Sequence, residues 1–188
     1  VILVGGPTWG MVGLFITFPP EFANDFGMTV MPTAGRAVLF SYIGVSIGGA
    51  IIGVLSQYLQ SRRKSVAISY VALIAFVGLY VSLPYGGSVN LYYFSCFLMG
   101  LSCGYWAMFV QMGAEQFGTN IRATAATSIP NFVRAMTIPI TMSFHALIPS
   151  AGVTGAGLLV MAVLMVLAFF ALWRLKETFH TDLDYVER

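Results

Sequence analysis

Six long apolar blocks, divided by short gaps that hold nearly all the charge, decide what this chain can fold into. They run over about 1–20, 37–58, 65–83, 91–113, 125–148 and 152–173. A helix needs roughly 20 apolar residues to cross the hydrocarbon core of a bilayer, and each block meets or approaches that length. Barrel strands would be about half as long and would alternate apolar with polar side chains. Stretches such as Gly155–Trp173 are apolar on every face, so helices are expected. The gaps hold the turn formers Pro19-Pro20, Pro32, Pro84-Tyr85-Gly86-Gly87 and Pro149-Ser150-Ala151-Gly152.

Composition excludes other classes. The 188 residues are 58% hydrophobic and 9% charged, against about 45–50% and about 25% in a soluble domain. That leaves no charged surface for a soluble enzyme, a secreted disulfide scaffold or a disordered tail. A net charge of +2 is too small for a phosphate-binding face, so the expected partner is the lipid bilayer and not nucleic acid. Cys96 and Cys103 share one apolar block and carry no information on redox compartment.

Basic residues set a sidedness. The even-numbered gaps and the tail hold Arg62, Arg63, Lys64, Arg122, Arg174, Lys176 and Arg188; the odd-numbered gaps hold only Arg36. This bias places both chain ends on the cytoplasmic side. Val1 opens inside an apolar run, with no basic n-region and no cleavage signal, so a signal peptide is not expected. The expectation is a chain that continues a longer one, with the missing part before Val1.

Polar side chains are unevenly shared among the blocks. The sixth has almost none, and the third has only serines and tyrosines. The others carry Thr8, Trp9 and Thr17; Ser41, Tyr42, Ser46 and Gln57; Ser102, Trp106 and Gln111; and Asn131, Arg134, Thr141 and His145. Polar groups facing lipid are expensive. Blocks one, two, four and five should therefore line something, while three and six face lipid. This two-plus-one pattern, repeated, points to two three-helix units. In block five, Thr127, Asn131, Arg134, Thr141 and His145 are spaced 4, 3, 7 and 4 apart, within about 40° of one line on a helix. Val133, Met136, Ile140 and Phe144 take the opposite side. The stripe reads either as interhelical hydrogen bonding or as the lining of a ligand path. A midplane arginine costs several kcal/mol, which favours the second reading. Pro130 and Pro139 each withhold a backbone donor and are expected to kink the block.

Other motifs carry less. Gly44, Gly48, Gly49 and Gly53, with Gly100 and Gly104, fit small-residue helix packing. Gly44-Val45-Ser46-Ile47-Gly48 spells a hydrolase elbow, but that motif needs a strand before its turn, and here it lies in an apolar helix. Two thiols without a third ligand make a poor metal site. His180 falls in the polar tail, and no phosphate loop, HExxH or CxxC is present.

Two gaps point to a family. Gly53-Val54-Leu55-Ser56-Gln57-Tyr58-Leu59-Gln60-Ser61-Arg62-Arg63-Lys64 resembles the signature loop of the major facilitator superfamily: a glycine, a leucine, a small residue and an acid, then a basic cluster. Gln57 stands at the acid's place. Glu115-Gln116-Phe117-Gly118-Thr119-Asn120-Ile121-Arg122-Ala123-Thr124 is similar to a loop of sugar porters and metabolite:proton symporters. Asn131 and Arg134 follow at a spacing those transporters share, and Lys176-Glu177-Thr178-Phe179 resembles their ending. The resemblance implies an all-α membrane protein of six transmembrane helices, half of a twelve-helix fold, built as two inverted three-helix repeats. Residues 1–188 would be the C-terminal half, with a cytoplasmic tail over 174–188 and a six-helix N-terminal half as partner. It also implies the bacterial inner (plasma) membrane.

The expected activity is secondary active transport of a small organic solute, proton-coupled, by alternating access, with no cofactor and no enzyme chemistry. A drug exporter of the same fold is the alternative within the class. Outside it stand an intramembrane serine hydrolase using Ser46 and His145, and a non-transporting scaffold. Arg134 lies roughly 13 Å into its helix at 1.5 Å per residue, near the middle of a core about 30 Å thick. No carboxylate in this chain lies at that depth. A guanidinium grips a carboxylate or phosphate by two parallel hydrogen bonds. The expected solute is therefore a small organic anion on Arg134, with Asn131, Thr141, Trp106, Tyr42 and Trp9 around it. The resemblance implies a cytoplasmic gate of Glu115, Arg122 and Arg62.

Overall fold

The computed structural model describes residues 1–179; His180, Arg188 and the rest of the expected tail lie outside the described residues. All of the described secondary structure is helical. Block one is not a single straight rod. Helix α1 (Ile2–Gly10) contains Pro7 and runs into a π-helical stretch, Met11–Ile16. Helix α2 (Pro19–Asp25) begins at the proline pair, after Phe18 leaves helical geometry at φ −111°, ψ 51°, because a following proline disfavours the α region. The two parts are bent by 67°.

Blocks two and three give α3 (Ala34–Leu59) and α4 (Arg62–Ser82). Block four gives α5 (Val89–Ser102) and α6 (Tyr105–Glu115), separated at Cys103-Gly104. Blocks five and six form α7 (Arg122–Ala135) and α8 (Thr137–Arg174). Pro139 has no N–H for the Ala135 carbonyl, and the helix is interrupted at Met136, whose N–H is shared between the carbonyls of Phe132 and Val133. Pro130 passes inside α7 without a break. Gly152, at φ 70°, ψ 175°, splits α8 into arms 137–151 and 153–174. The arms fold back on each other. Phe22 stacks on Phe144 of the first arm, and a Cβ at Gly157 of the second would touch the same Phe22 ring. Along a straight helix those two positions would stand about 20 Å apart.

Among the described residues all six blocks are helical. Four helical runs are long and apolar enough to cross a membrane, five if the bent pair of block one counts as a span. One of these runs, Arg122–Arg174, has 53 residues, about 80 Å at 1.5 Å per residue, enough for two crossings with the reversal at Gly152. These lengths suggest an integral membrane protein.

Packing links blocks that are distant in sequence. The closest pairing is α3 with α5, through glycines. A Cβ at Gly44, Gly48, Gly100 or Gly104 would collide with backbone of the facing helix, from Phe97 and Leu101 on one side and Ser41 and Gly48 on the other. Gly53, grouped with them by spacing, faces open space. α1 and the π-helical stretch after it lie against α7 and α8, with Gly10 on Leu164 and Gly13 on Thr137. α3 of block two meets both α5 and α6 of block four, as α1 of block one meets both α7 and α8.

The helix ends gather at two poles. One holds the start of α4, the end of α6 and the end of α8, tied by Arg62 to Glu115 and by Glu177 to Ser61. The other holds Asp25 on Thr154, Thr29 on Gly86 and Thr33 on Tyr93. A buried aromatic cluster of Phe15, Phe22, Tyr80, Tyr92 and Phe144 packs on the side of the second pole. The apolar face of α4 (Ile68, Val71, Ile74) and that of the second arm of α8 (Val163, Val166, Phe170) are exposed, as expected of helices facing lipid.

Candidate functional site

The polar stripe of block five lies on an open face. Val133, Ile140 and Phe144 are buried, while Thr127, Asn131, Arg134 and His145 are exposed. The cause is local. Val133 packs on α1 where Gly5 leaves room, and Ile129 packs where Gly113 does, so a turn of α7 presents the other side outward. The Arg134 guanidinium stands over the Trp9 ring, 5.2 Å from its centroid. Trp9 meets Trp106 edge-on at 6.0 Å, and Trp106 tilts against Phe109 at 5.0 Å. A cation over an indole face gains about 0.5–2 kcal/mol, less than a carboxylate partner would supply. Among the described residues Arg134 has no ion pair. The Trp9 Nε1–H beside it is buried without an acceptor.

The other expected site residues fall around this centre unevenly. The Asn131 amide donates to the Thr127 carbonyl at 2.8 Å. A surface hollow of about 370 Å³ is lined by Thr127, Ser128, Asn131, Phe132 and Ala135. Thr141 lies past the interruption at Met136; its hydroxyl donates to the Thr137 carbonyl at 2.9 Å, and its methyl faces Gly13. Tyr42 sits on α3 and is 49% exposed. Among the described residues no ring contact joins it to Trp9 or Trp106. The structure therefore brings together Arg134, Trp9 and Trp106, keeps Asn131 on the same face, and leaves Thr141 and Tyr42 on separate elements. Ser46 lies inside α3 with its hydroxyl on the Tyr42 carbonyl, and His145 packs on Phe18 and Phe144.

The first pole carries a second polar cluster. Arg62 grips Glu115 by two hydrogen bonds of 2.7 Å, Nε to Oε2 and Nη2 to Oε1, with both side chains buried. Its Nη1 reaches Met108 Sδ at 3.4 Å, and Phe179 covers the guanidinium at 5.5 Å. The Arg122 Nε–H donates to the Phe117 carbonyl at 3.3 Å. The pair that joins the two gaps is thus Arg62 with Glu115.

Three residues at this pole were not expected in a site. Glu177 accepts from the Ser61 hydroxyl and from the backbone N–H groups of Arg62 (3.0 Å) and Arg63 (3.3 Å), capping α4. Partial burial alone would raise its carboxyl. The Ser61 hydroxyl and the N–H groups of Arg62, Arg63 and Phe179 outweigh that and hold it below the usual carboxylate range. Arg63 donates to the carbonyls of Leu172 (3.1 Å) and Trp173 (2.8 Å), closing the end of α8. The signal was present: an acid three residues beyond a span, and basic residues at a helix start.

Among the described residues no three His, Cys, Asp or Glu side chains gather as metal ligands. Cys96 and Cys103 are free and buried. Comparison with protein-family models, curated proteins and solved structures finds no match for this chain.

Proposed function

We propose that this chain is one six-helix half of a secondary transporter of the major-facilitator kind, carrying a small organic anion with proton coupling by alternating access. The observation that carries the reading is Arg134: a permanent cation on the open face of an apolar body, braced by Trp9, without an acid among the described residues. Such a charge is retained at a cost unless a ligand or a facing half supplies the anion. Two further features support it. Block two packs on block four and block one on α7 of block five, so the two halves of the chain cross one another, which suits an inverted repeat. α3 also leaves a wide face uncovered, including Leu39, Ile43, Ile47 and Val54, which a second six-helix body would cover.

In this reading Arg134 binds the anion, Asn131 and Thr141 offer neutral hydrogen bonds, and Trp9 and Trp106 form the aromatic wall. Tyr42 belongs to the facing rim. Arg62 and Glu115, with Arg122 nearby, close the cytoplasmic end, and Glu177 fastens the tail to that closure. The test is uptake by the carrier assembled with its facing half. Arg134→Lys should impair uptake almost as much as Arg134→Ala, because an ammonium cannot copy the two-pronged grip. Normal uptake by Arg134→Lys, or a preference for neutral or cationic solutes, would refute the assignment.

A further inference from the structure

A crevice runs between α4 and the second arm of α8, away from the Arg134 face. Its inner part is an apolar groove of about 430 Å³ lined by Ile74, Val77, Gly78, Leu158, Met165 and Phe169, among others. At Phe169 it continues into a hollow of about 410 Å³ lined by Arg63, Lys64, Ala67, Leu172, Trp173 and Glu177. One end is therefore wholly apolar and the other is basic. Lys64 is exposed, and Trp173 is 70% exposed. Arg174 beside them lies over the rings of Phe170 (5.4 Å) and Trp173 (5.7 Å). The Arg63 guanidinium donates to the carbonyls of Leu172 and Trp173, and the dipole of the α8 C-terminus offsets part of its charge, which leaves Lys64 as the decisive cation. Among the described residues the one acid in the hollow, Glu177, accepts from Ser61 and the start of α4.

We propose that this crevice binds an anionic phospholipid, with an acyl chain in the groove beyond Phe169 and the phosphate-bearing headgroup at Arg63, Lys64 and Trp173. From Lys64 to Gly78 is about 21 Å along α4, enough for an acyl chain in one leaflet of a core about 30 Å thick. Exposed tryptophan with basic residues at a helix end is the chemistry of the headgroup level, and each cation near an anionic surface adds attraction. The proposal rests on the helices crossing a membrane, and not on transport.

Native mass spectrometry of the whole chain, released from micelles holding equimolar phosphatidylglycerol and phosphatidylcholine with identical acyl chains, tests it. One retained phosphatidylglycerol is expected, at roughly fivefold preference for a single decisive cation. Lys64→Gln should bring the preference close to parity. Gly78→Leu should lower retention of both lipids, since a Cβ there meets nothing within 4 Å and the side chain would enter the groove. Equal retention by the unaltered chain, a preference unmoved by both variants, or a second copy of the chain in place of lipid would overturn the site. A chain that takes no lipid and does not enter bilayers would overturn the site and the membrane assignment together. Loss of uptake in Arg134 variants would leave the site standing.

Discussion

Two arginines of this chain, Arg62 and Arg134, solve the same electrostatic difficulty differently. Arg62 is buried and gives two charge-assisted bonds to one carboxylate; Arg134 stays open and leans on an indole. A buried pair that loses one partner leaves a charge without compensation, at about 3–5 kcal/mol, whereas replacing both by apolar residues of similar volume is often neutral or better. Glu115→Gln should therefore destabilise the folded chain by about 3 kcal/mol, and the double change Arg62→Met, Glu115→Leu should restore most of it. Unfolding in mixed micelles reads this directly; a double variant as weak as the single one would contradict it. The family resemblance of the two gaps marked both residues as gate members. It left Glu177 as part of an ending, because a helix start gains a distant carboxylate cap only once the chain has folded.

Among the elements, α3 with α5 and the broken first block teach opposite lessons about spacing. Glycines four apart marked blocks two and four as closely packing helices without naming the pair, yet only those on the contact line matter. At Gly48 a Cβ would meet the Leu101 backbone, and at Gly53 it would meet nothing. Gly48→Ala should force the helices apart and cost about 1–3 kcal/mol, as overpacking does. Gly53→Ala should be neutral or stabilise by up to about 1 kcal/mol, as alanine does in helices. Equal losses at both positions in the same unfolding measurement would contradict the pairing. At the end of block one the turn at Pro19-Pro20 was legible; the π-helical stretch before it was not. Hydropathy counts apolar residues, but Pro7 and the π-helical stretch Met11–Ile16 act through single hydrogen bonds that leave composition unchanged. Pro139 was legible as a kink because a proline leaves the carbonyl four residues earlier without a donor. Pro130 followed the same logic and made no break.

Across the whole molecule, alternation of six blocks fixed two poles, and the structure places the basic gaps at one of them. Cysteines introduced at Gln60 and Asn120 should be labelled only from the cytoplasm, and one at Ser88 only from outside, with Cys96 and Cys103 replaced by alanine. All three positions are exposed. Labelling of Gln60 and Ser88 from the same side would break the six-span reading. The Arg134 site was legible as a stripe, because helical period alone sets which side chains share a face. Trp9 and Trp106 were expected around it and stand there; Tyr42, grouped with them by residue type alone, lies on α3 with no ring contact to either among the described residues. Anion binding at Arg134 is tested most directly by melting the nanodisc-inserted chain with monocarboxylates, dicarboxylates and sugar phosphates, and with neutral and cationic analogues. At least one anion class should raise the melting temperature of the unaltered chain. Arg134→Lys should lose that shift as fully as Arg134→Ala while melting normally without solute. A shift kept by Arg134→Lys, or one produced only by neutral or cationic solutes, would contradict anion binding at Arg134.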